Sequence, residues 1–352
     1  MSVSHPKNKF TELIDHRTPI LIIGFNRPEL LQNVLKNFSD GSRTIYISID
    51  GPRNDKEKFL TDACKKIAYA FKKFSIQNRV HVKACGYNQG CKKAVTSAIN
   101  WAFQSEEELI ILEDDIVISQ SFLNFCDIGL SYFRMNKSVF QLSGWTPLIE
   151  EINPPNVYLT KFAHIWGWAT WKDRWKLFDE NLENWDNSPP SKLPIFQGSK
   201  LTKNFDKFWV KNLLQVRSSS TDIWDTQWLF SMWKNQSYSV SPGSSLCKNI
   251  GFDDRATHTR YLPDQMFEYQ LKSYLKEPPE AMLDWKILFG NIDVSFEWDF
   301  YHEKIAFNMD FYGLNLISDS SRRKVSSILT FLRIKKYFKK FYAWFLKQSY
   351  NN

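Results

Sequence analysis

A chain of 352 residues with a hydrophobic fraction of 43% can bury a sizeable core, as one large α/β domain or two modest ones. The formal charge of +8 is concentrated at one end: from Ser320 onward there are nine Lys or Arg and no acid, so the body is nearly neutral and a nucleic-acid-binding body is not indicated. Five cysteines without a CxxC pair argue for a reducing compartment rather than a disulfide framework or a zinc site, and no apolar run is long enough to span a bilayer. The opening MSVSHPKNKF lacks the apolar core of a signal peptide, so the expected setting is cytoplasmic.

TPILIIGF (Thr18–Phe25) reads as a buried strand, and Pro28 suits the first turn of a helix through ELLQNVLKNF. RTIYISID (Arg43–Asp50) is the second strand, closed by the turn signal GPRN, and a helix follows over about 55–74. RVHVKAC (Arg79–Cys85) is the third strand, followed by GYNQG and a helix over about 91–103. ELIILEDDIVIS (Glu108–Ser119) reads as the fourth, with Leu109–Leu112 and Ile116–Ile118 on one buried strand, and SQSFLNFCDIGLSYF as the next helix. Four such units predict a mostly parallel sheet with helices on both faces, in the α/β class. After Pro147 the regularity fades into Trp-rich, loop-rich sequence, and the absence of a low-complexity linker predicts one fused domain.

The fourth strand poses a question. Adjacent strand residues point to opposite faces, so no alternating pattern hides Glu113, Asp114 and Asp115 in a row. Like charges held together need a cation or a strand end to relieve them. Parallel sheets bind ligands at the carboxyl ends of their strands, where Asn26, Arg27, Asp50, Asn88 and the three acids collect. Three acids there suit a hard cation, Mn²⁺ or Mg²⁺, completed by substrate phosphates; the plain alternative is solvated acids at a strand end, with Asp114 capping the next turn. Asp50 is a nucleoside contact or an ordinary turn acid before Gly-Pro. Arg27 reaches a phosphate or is merely exposed, and Lys92 and Lys93 are phosphate contacts or solvated surface.

IIGFNRPELLQNVLKNF, ISIDGPRN, NQGCKKAVTSAINWAF and IILEDDIVISQSFLNFC follow the order seen in GT-A-fold glycosyltransferases. The chain resembles the N-acetylglucosaminyltransferase I group and its bacterial relatives over about residues 18–260. The resemblance implies a Rossmann-like GT-A fold, with Asp115 as the direct Mn²⁺ ligand, and Glu113 and Asp114 supporting the donor sugar and ribose. It places Asp50 by the uracil and Arg27 near the phosphates. HIWGWATW (His164–Trp171) resembles the family's segment lining donor sugar and acceptor, which nominates Trp168. IWDTQW (Ile223–Trp228) resembles its catalytic-base segment, which nominates Asp225, with Thr226 where the family has a second acid. NIGFDDRATHT (Asn249–Thr259) resembles a loop over the diphosphate, with Arg255 and His258 as contacts. Inverting transfer needs a base at the attacking hydroxyl and a metal at the departing diphosphate. Asp225 lies between two tryptophans in sequence, where desolvation would strengthen it as a base; its plain reading is a helix cap.

Ile328, Phe331, Ile334, Phe338, Phe341 and Phe345 repeat at helical spacing, with Arg333, Lys336, Lys339, Lys340 and Lys347 on another side. This basic amphipathic C-terminal helix reads as an in-plane anchor on an anionic membrane through residues 322–347, or as a helix docked on the body. The expected organisation is an N-terminal extension (1–17), a nucleotide-sugar half (18–147), an acceptor and catalytic half (148–290) and a C-terminal extension (291–352). The expected activity is metal-dependent inverting transfer of a sugar from a nucleotide donor, a UDP-sugar, to a saccharide or lipid-linked acceptor at the inner face of the cytoplasmic membrane. Two rivals remain. A sugar nucleotidyltransferase normally carries a Gly-rich basic loop that GFNRPE lacks, and a non-catalytic glycan-binding protein would tolerate loss of Asp115 and Asp225.

Overall fold

The computed structural model describes residues 17–74, 79–148, 155–251, 289–294 and 296–303. The helix expected over 322–347, with Arg255 and His258, lies outside the described residues. Among those described, no helix is long and apolar enough to cross a membrane.

The first half follows the expected alternation: β1 (Ile20–Gly24), α1 (Pro28–Lys36), β2 (Ile45–Ile49), α2 (Asp55–Phe74), β3 (Val80–Ala84), α3 (Cys91–Ala102), β4 (Glu108–Glu113) and α4 (Gln120–Phe133). Strands β3, β2, β1 and β4 lie side by side and parallel. Their side chains alternate between two cores. Ile20, Ile22, Ile110 and Leu112 pack with α1, α2 and α4, whereas Leu21, Ile23, Leu109 and Ile111 pack with α3. Burial on both faces explains why these strands read as continuous apolar runs rather than alternating ones.

The acidic stretch corrects the one-strand expectation. β4 ends at Glu113, Asp114 and Asp115 form a turn, and Ile116–Ile118 is a separate strand, β5. β5 leaves the main sheet and pairs antiparallel with β10 (Cys247–Asn249). The acids interrupt nothing; they sit where one strand ends and the chain changes sheets.

The Trp-rich half is more regular than its sequence. β6 (Val139–Ser143), β7 (Val157–Thr160), β8 (Trp168–Trp171) and β9 (Tyr238–Pro242) extend the same sheet to eight strands, in the order β3-β2-β1-β4-β8-β6-β9-β7. β8 runs antiparallel to β4 and β6, and β7 antiparallel to β9, so the sheet is mixed but mostly parallel. This layout is consistent with the expected Rossmann-like GT-A fold. These strands carry buried polar residues, among them Gln141, Thr170 and Ser239, which break any simple apolar pattern. Hydrogen bonds compensate that burial: the Trp228 indole donates to Gln141 Oε1 at 2.6 Å, and Thr170 Oγ1 to Phe140 O at 2.6 Å.

Helices α5 (Lys172–Trp175), α6 (Phe205–Arg217) and α7 (Asp225–Lys234) cover this half. Trp168, Trp175, Trp224 and Trp228 interlock between α7 and the sheet, joining the second half to the core beneath α3. A single helical turn, α8 (Asp299–Tyr301), is docked by charge. Asp299 Oδ2 accepts from Lys161 Nζ at 2.9 Å, and Glu303 Oε2 accepts from Thr202 N at 2.7 Å.

Candidate functional site

The carboxyl ends of β1, β2 and β4, the loop after β3 and the start of α7 surround a cavity of about 380 Å³. Its wall brings together Arg27, Asp50, Glu113, Asp114, Asp115 and Asp225. Asn26, Arg53, Asn88, Cys91, Trp145, His164, Trp166 and Asp222 share the lining.

The acidic turn has an internal logic. Asp114 folds back under β1: its Oδ2 accepts from Phe25 N at 3.1 Å, and its Oδ1 from Arg27 Nη2 at 2.6 Å. The same Nη2 lies 2.8 Å from Asp115 Oδ2. Arg27 thus sits on the two aspartates rather than standing clear for a phosphate. Its charge is disfavoured by burial, but Asp114 and Asp115 outweigh this and raise its pKa. Asp115 is gripped through its backbone as well, its carbonyl accepting from Ile250 N at 2.9 Å. Gly251 closes over it, with Gly251 O 3.4 Å from Arg27 Nη1; a Cβ at Gly251 would collide with Asp115 Oδ2 and Arg27 Nη1.

Burial first, then Asp115 and Asp114, pushes Glu113 up to about 8. Asp114 rises to about 6 through burial, with Arg27 opposing. Across the cavity, Asp225 opens α7 as its first residue and is exposed, its Oδ1 accepting from Thr226 N at 2.8 Å. The expected desolvation between two tryptophans is corrected: Trp224 and Trp228 both turn into the core, because a helix start projects successive side chains in different directions.

Asp50 is buried at the end of β2 and braces the loop after β3. It accepts from Asn88 Nδ2 at 2.8 Å and from Gln89 N at 3.0 Å, and burial raises its pKa against those bonds. Asp222, in the turn before α7, accepts from Cys91 N at 2.6 Å and Lys92 N at 3.0 Å and so caps α3 from a distance. Gly90 makes this possible: its φ of +82° suits glycine, and a Cβ there would lie 2.6 Å from Asp222 Oδ2. Arg53 stacks over Phe25, 5.1 Å from the ring centroid, and is tied to Glu57 Oε1 at 2.9 Å.

Two nominated residues do not line the cavity. Lys93 is exposed on the outer side of α3, and Trp168 is buried beneath the wall, stacked on Trp224 at 5.6 Å. Trp145 and Trp166 line the cavity, as do the buried indoles of Trp209 and Trp224. Asp222, Arg53 and Cys91 carried no distinguishing sequence signal, since each depends on long-range contacts.

Six carboxylates and two arginines line the cavity, so the wall carries an excess of negative charge. Among the described residues, no group of three or more His, Cys, Asp or Glu is arranged as a preformed metal site. A hard divalent ion needs only one or two carboxylates when substrate phosphates complete its shell. The carboxylate of Asp115 at the cavity wall fits that mode, with Arg27 sharing it.

No family model matches the chain, and no curated protein matches it. Solved structures similar to parts of it include a UDP-glucose pyrophosphorylase complexed with UDP-glucose, at 11% identity and a TM-score of 0.28, covering 63% of this chain and 97% of that one. The apo-form glycosyltransferase GlyE of Streptococcus pneumoniae TIGR4 overlaps at 7% identity and a TM-score of 0.30, over 78% of this chain and 63% of that one. At these scores the overlaps carry no argument about activity.

Proposed function

We propose that the chain is a metal-dependent, inverting glycosyltransferase that moves a sugar from a nucleotide donor, a UDP-sugar in our reading, to a saccharide or lipid-linked acceptor. The observation that carries this reading is one cavity in which Asp50, the Arg27–Asp114–Asp115 cluster and Asp225 face a shared space. The order of these residues along the chain, resembling the N-acetylglucosaminyltransferase I group, supports it.

Each residue then has a task. Asp50 and its loop wall the nucleoside end. Asp115 would hold Mn²⁺ or Mg²⁺, with Glu113 and Asp114 supporting the donor beside it, and that ion, when bound, would supply positive charge to the departing diphosphate. Arg27 prevents mutual repulsion of the two aspartates and orients them. Asp225, exposed at the cavity edge, accepts the proton of the attacking hydroxyl. Arg255 and His258 would contact the diphosphate from the following loop, and residues 322–347 would bring the enzyme to an anionic membrane bearing its acceptor.

The experiment is donor hydrolysis across UDP-, GDP-, dTDP- and CMP-sugars, with and without Mn²⁺. Metal-dependent release of a nucleoside diphosphate from one donor, abolished in Asp115→Asn, is the expected result. Formation of nucleoside triphosphate from donor and pyrophosphate would establish the nucleotidyltransferase instead. Metal-dependent binding without turnover, unchanged in Asp115→Asn and Asp225→Asn, would establish a binding protein.

A further inference from the structure

The acids of the cavity wall outnumber its cations, and the two cations are not equivalent. Among the described residues of the wall, positive charge at neutral pH comes from Arg27 and Arg53, because burial keeps His164 neutral. Arg27 is engaged within the fold. Its Nη2 lies 2.6 Å from Asp114 Oδ1 and 2.8 Å from Asp115 Oδ2, and its Nη1 lies 3.4 Å from Gly251 O. Its side chain is only 12% exposed, whereas that of Arg53 is 45% exposed.

Arg53 is nonetheless fixed on two sides. Its Nε donates to Glu57 Oε1 at 2.9 Å and to Oε2 at 3.0 Å, and its Nη2 also donates to Oε1. Its guanidinium covers the Phe25 ring, with Cζ 5.1 Å from the centroid. The Glu57 carboxylate accepts in addition from Arg53 N at 3.0 Å and from Asn26 Nδ2 at 3.4 Å. Glu57 therefore stands behind the guanidinium: Arg53 lines the cavity and Glu57 does not. The bonds to Glu57 raise the pKa of Arg53, so its charge is present at every working pH. Among the described residues, Arg53 Nη1 meets no acceptor. With one edge on Glu57 and one face on Phe25, the Nη1 edge and the outer face are what Arg53 can offer to a ligand.

Strand order puts this fork between the two ends of the cavity. β1 lies between β2 and β4, and Phe25, which carries Arg53 on its ring, follows β1 directly. Asp50 follows β2 on one side, and the turn with Asp115 follows β4 on the other. A molecule that reaches from Asp50 to Asp115 crosses the end of β1, where Arg53 stands. Its middle part has carboxylates on both sides, so an anionic middle needs a cation close by. Arg27 could supply that charge only by leaving Asp114 and Asp115 unpaired. Arg53 can supply it without breaking any bond it makes.

We propose that Arg53 binds a phosphate group of the molecule that spans the cavity, donating from Nη1 to a phosphate oxygen between Asp50 and Asp115. A guanidinium donates to phosphate oxygens through short, charge-assisted bonds, and one already held in place loses little freedom on binding. The two arginines then have separate tasks. Arg27 offsets the charge of the protein's own aspartates, and Arg53 offsets that of the ligand. That the phosphate belongs to a nucleoside diphosphate rests on the function proposed above; the anion contact does not.

The test is calorimetric titration of the full chain, with Mg²⁺ present, using UDP, GDP, dTDP, their parent nucleosides and inorganic pyrophosphate. Arg53→Gln alters an exposed side chain and should fold as the wild type does, which a thermal melt checks. It should weaken the bound diphosphate and pyrophosphate about 10-fold and change the nucleoside less than about 2-fold. Arg53→Lys keeps the charge without the fork and should recover part of that loss, leaving about 3-fold. Added NaCl should weaken diphosphate binding more steeply in the wild type than in Arg53→Gln. Equal losses for nucleoside and diphosphate, with no recovery in Arg53→Lys, would mean stacking on a base and overturn the phosphate contact. Unchanged diphosphate affinity in Arg53→Gln overturns the inference and leaves the proposed function standing. Arg53-dependent binding of pyrophosphate, with no nucleotide bound, upholds the anion contact and overturns the proposed function. Binding of none of these phosphates by the wild type overturns both.

Discussion

Glu113→Gln should make the protein more stable and less active, and the gain should depend on pH. Among the described residues no hydrogen bond reaches the Glu113 carboxyl, and burial beside Asp115 and Asp114 raises it from 4.5 to about 8. A folded-state value above the unfolded one means that the folded protein holds this proton more tightly. The associated stability is fully present below about pH 4.5 and is lost as pH rises through 8. Each tenfold tightening of proton binding corresponds to about 1.4 kcal/mol. Discounting for residual solvent access and for coupling to the neighbouring acids leaves a cost on the order of 2–3 kcal/mol at pH 8. Glutamine has the same shape and no charge to bury, so it removes that cost. The variant should melt about 5 °C above wild type at pH 8 and level with it at pH 5. Thermal melts by circular dichroism at both pH values, without divalent metal, provide the assay. A gain of equal size at both pH values, or a loss at pH 8, would refute the assignment of Glu113 as a buried acid kept at the expense of stability.

The same charge excess predicts that Mn²⁺ raises the melting temperature more at pH 8 than at pH 6, with the increment lost in Asp115→Asn; differential scanning fluorimetry with and without the ion reads it. Asp225→Asn should abolish turnover while shifting stability by less than about 0.5 kcal/mol, because its side chain is exposed at a helix start; steady-state rates beside a melt separate the two effects. Asp222→Ala should cost about 1 kcal/mol through loss of the cap on α3 and speed amide exchange at Cys91 and Lys92, measured by hydrogen–deuterium exchange. Gly251→Ala should weaken metal binding by displacing Asp115 and Arg27, seen as a higher Mn²⁺ concentration for half-maximal donor hydrolysis.

The difference between what was legible and what was not follows from the range of the interactions. β1 to α4 could be read from the chain because two-sided burial writes apolar runs, and Pro28 and the GPRN turn mark their limits. β6 to β9 could not, because Gln141, Ser143, Thr170 and Ser239 look like loop residues until distant partners satisfy them. The candidate site divides in the same way. That three acids end a parallel strand is a local fact, visible in ELIILEDDIVIS. That Asp114 belongs to Arg27 and Phe25, while Asp115 faces the cavity under Gly251, depends on residues 87, 89 and 136 positions away. The sequence question about three consecutive charges therefore has a divided answer. Asp114 is neutralised inside the fold, and Asp115 shares the same arginine at the cavity wall. Glu113 is left with the least compensation, so a bound cation would relieve it most. A site that had finished pairing its own charges would have no such preference, and the pH dependence of Glu113→Gln measures how far this one is from that condition.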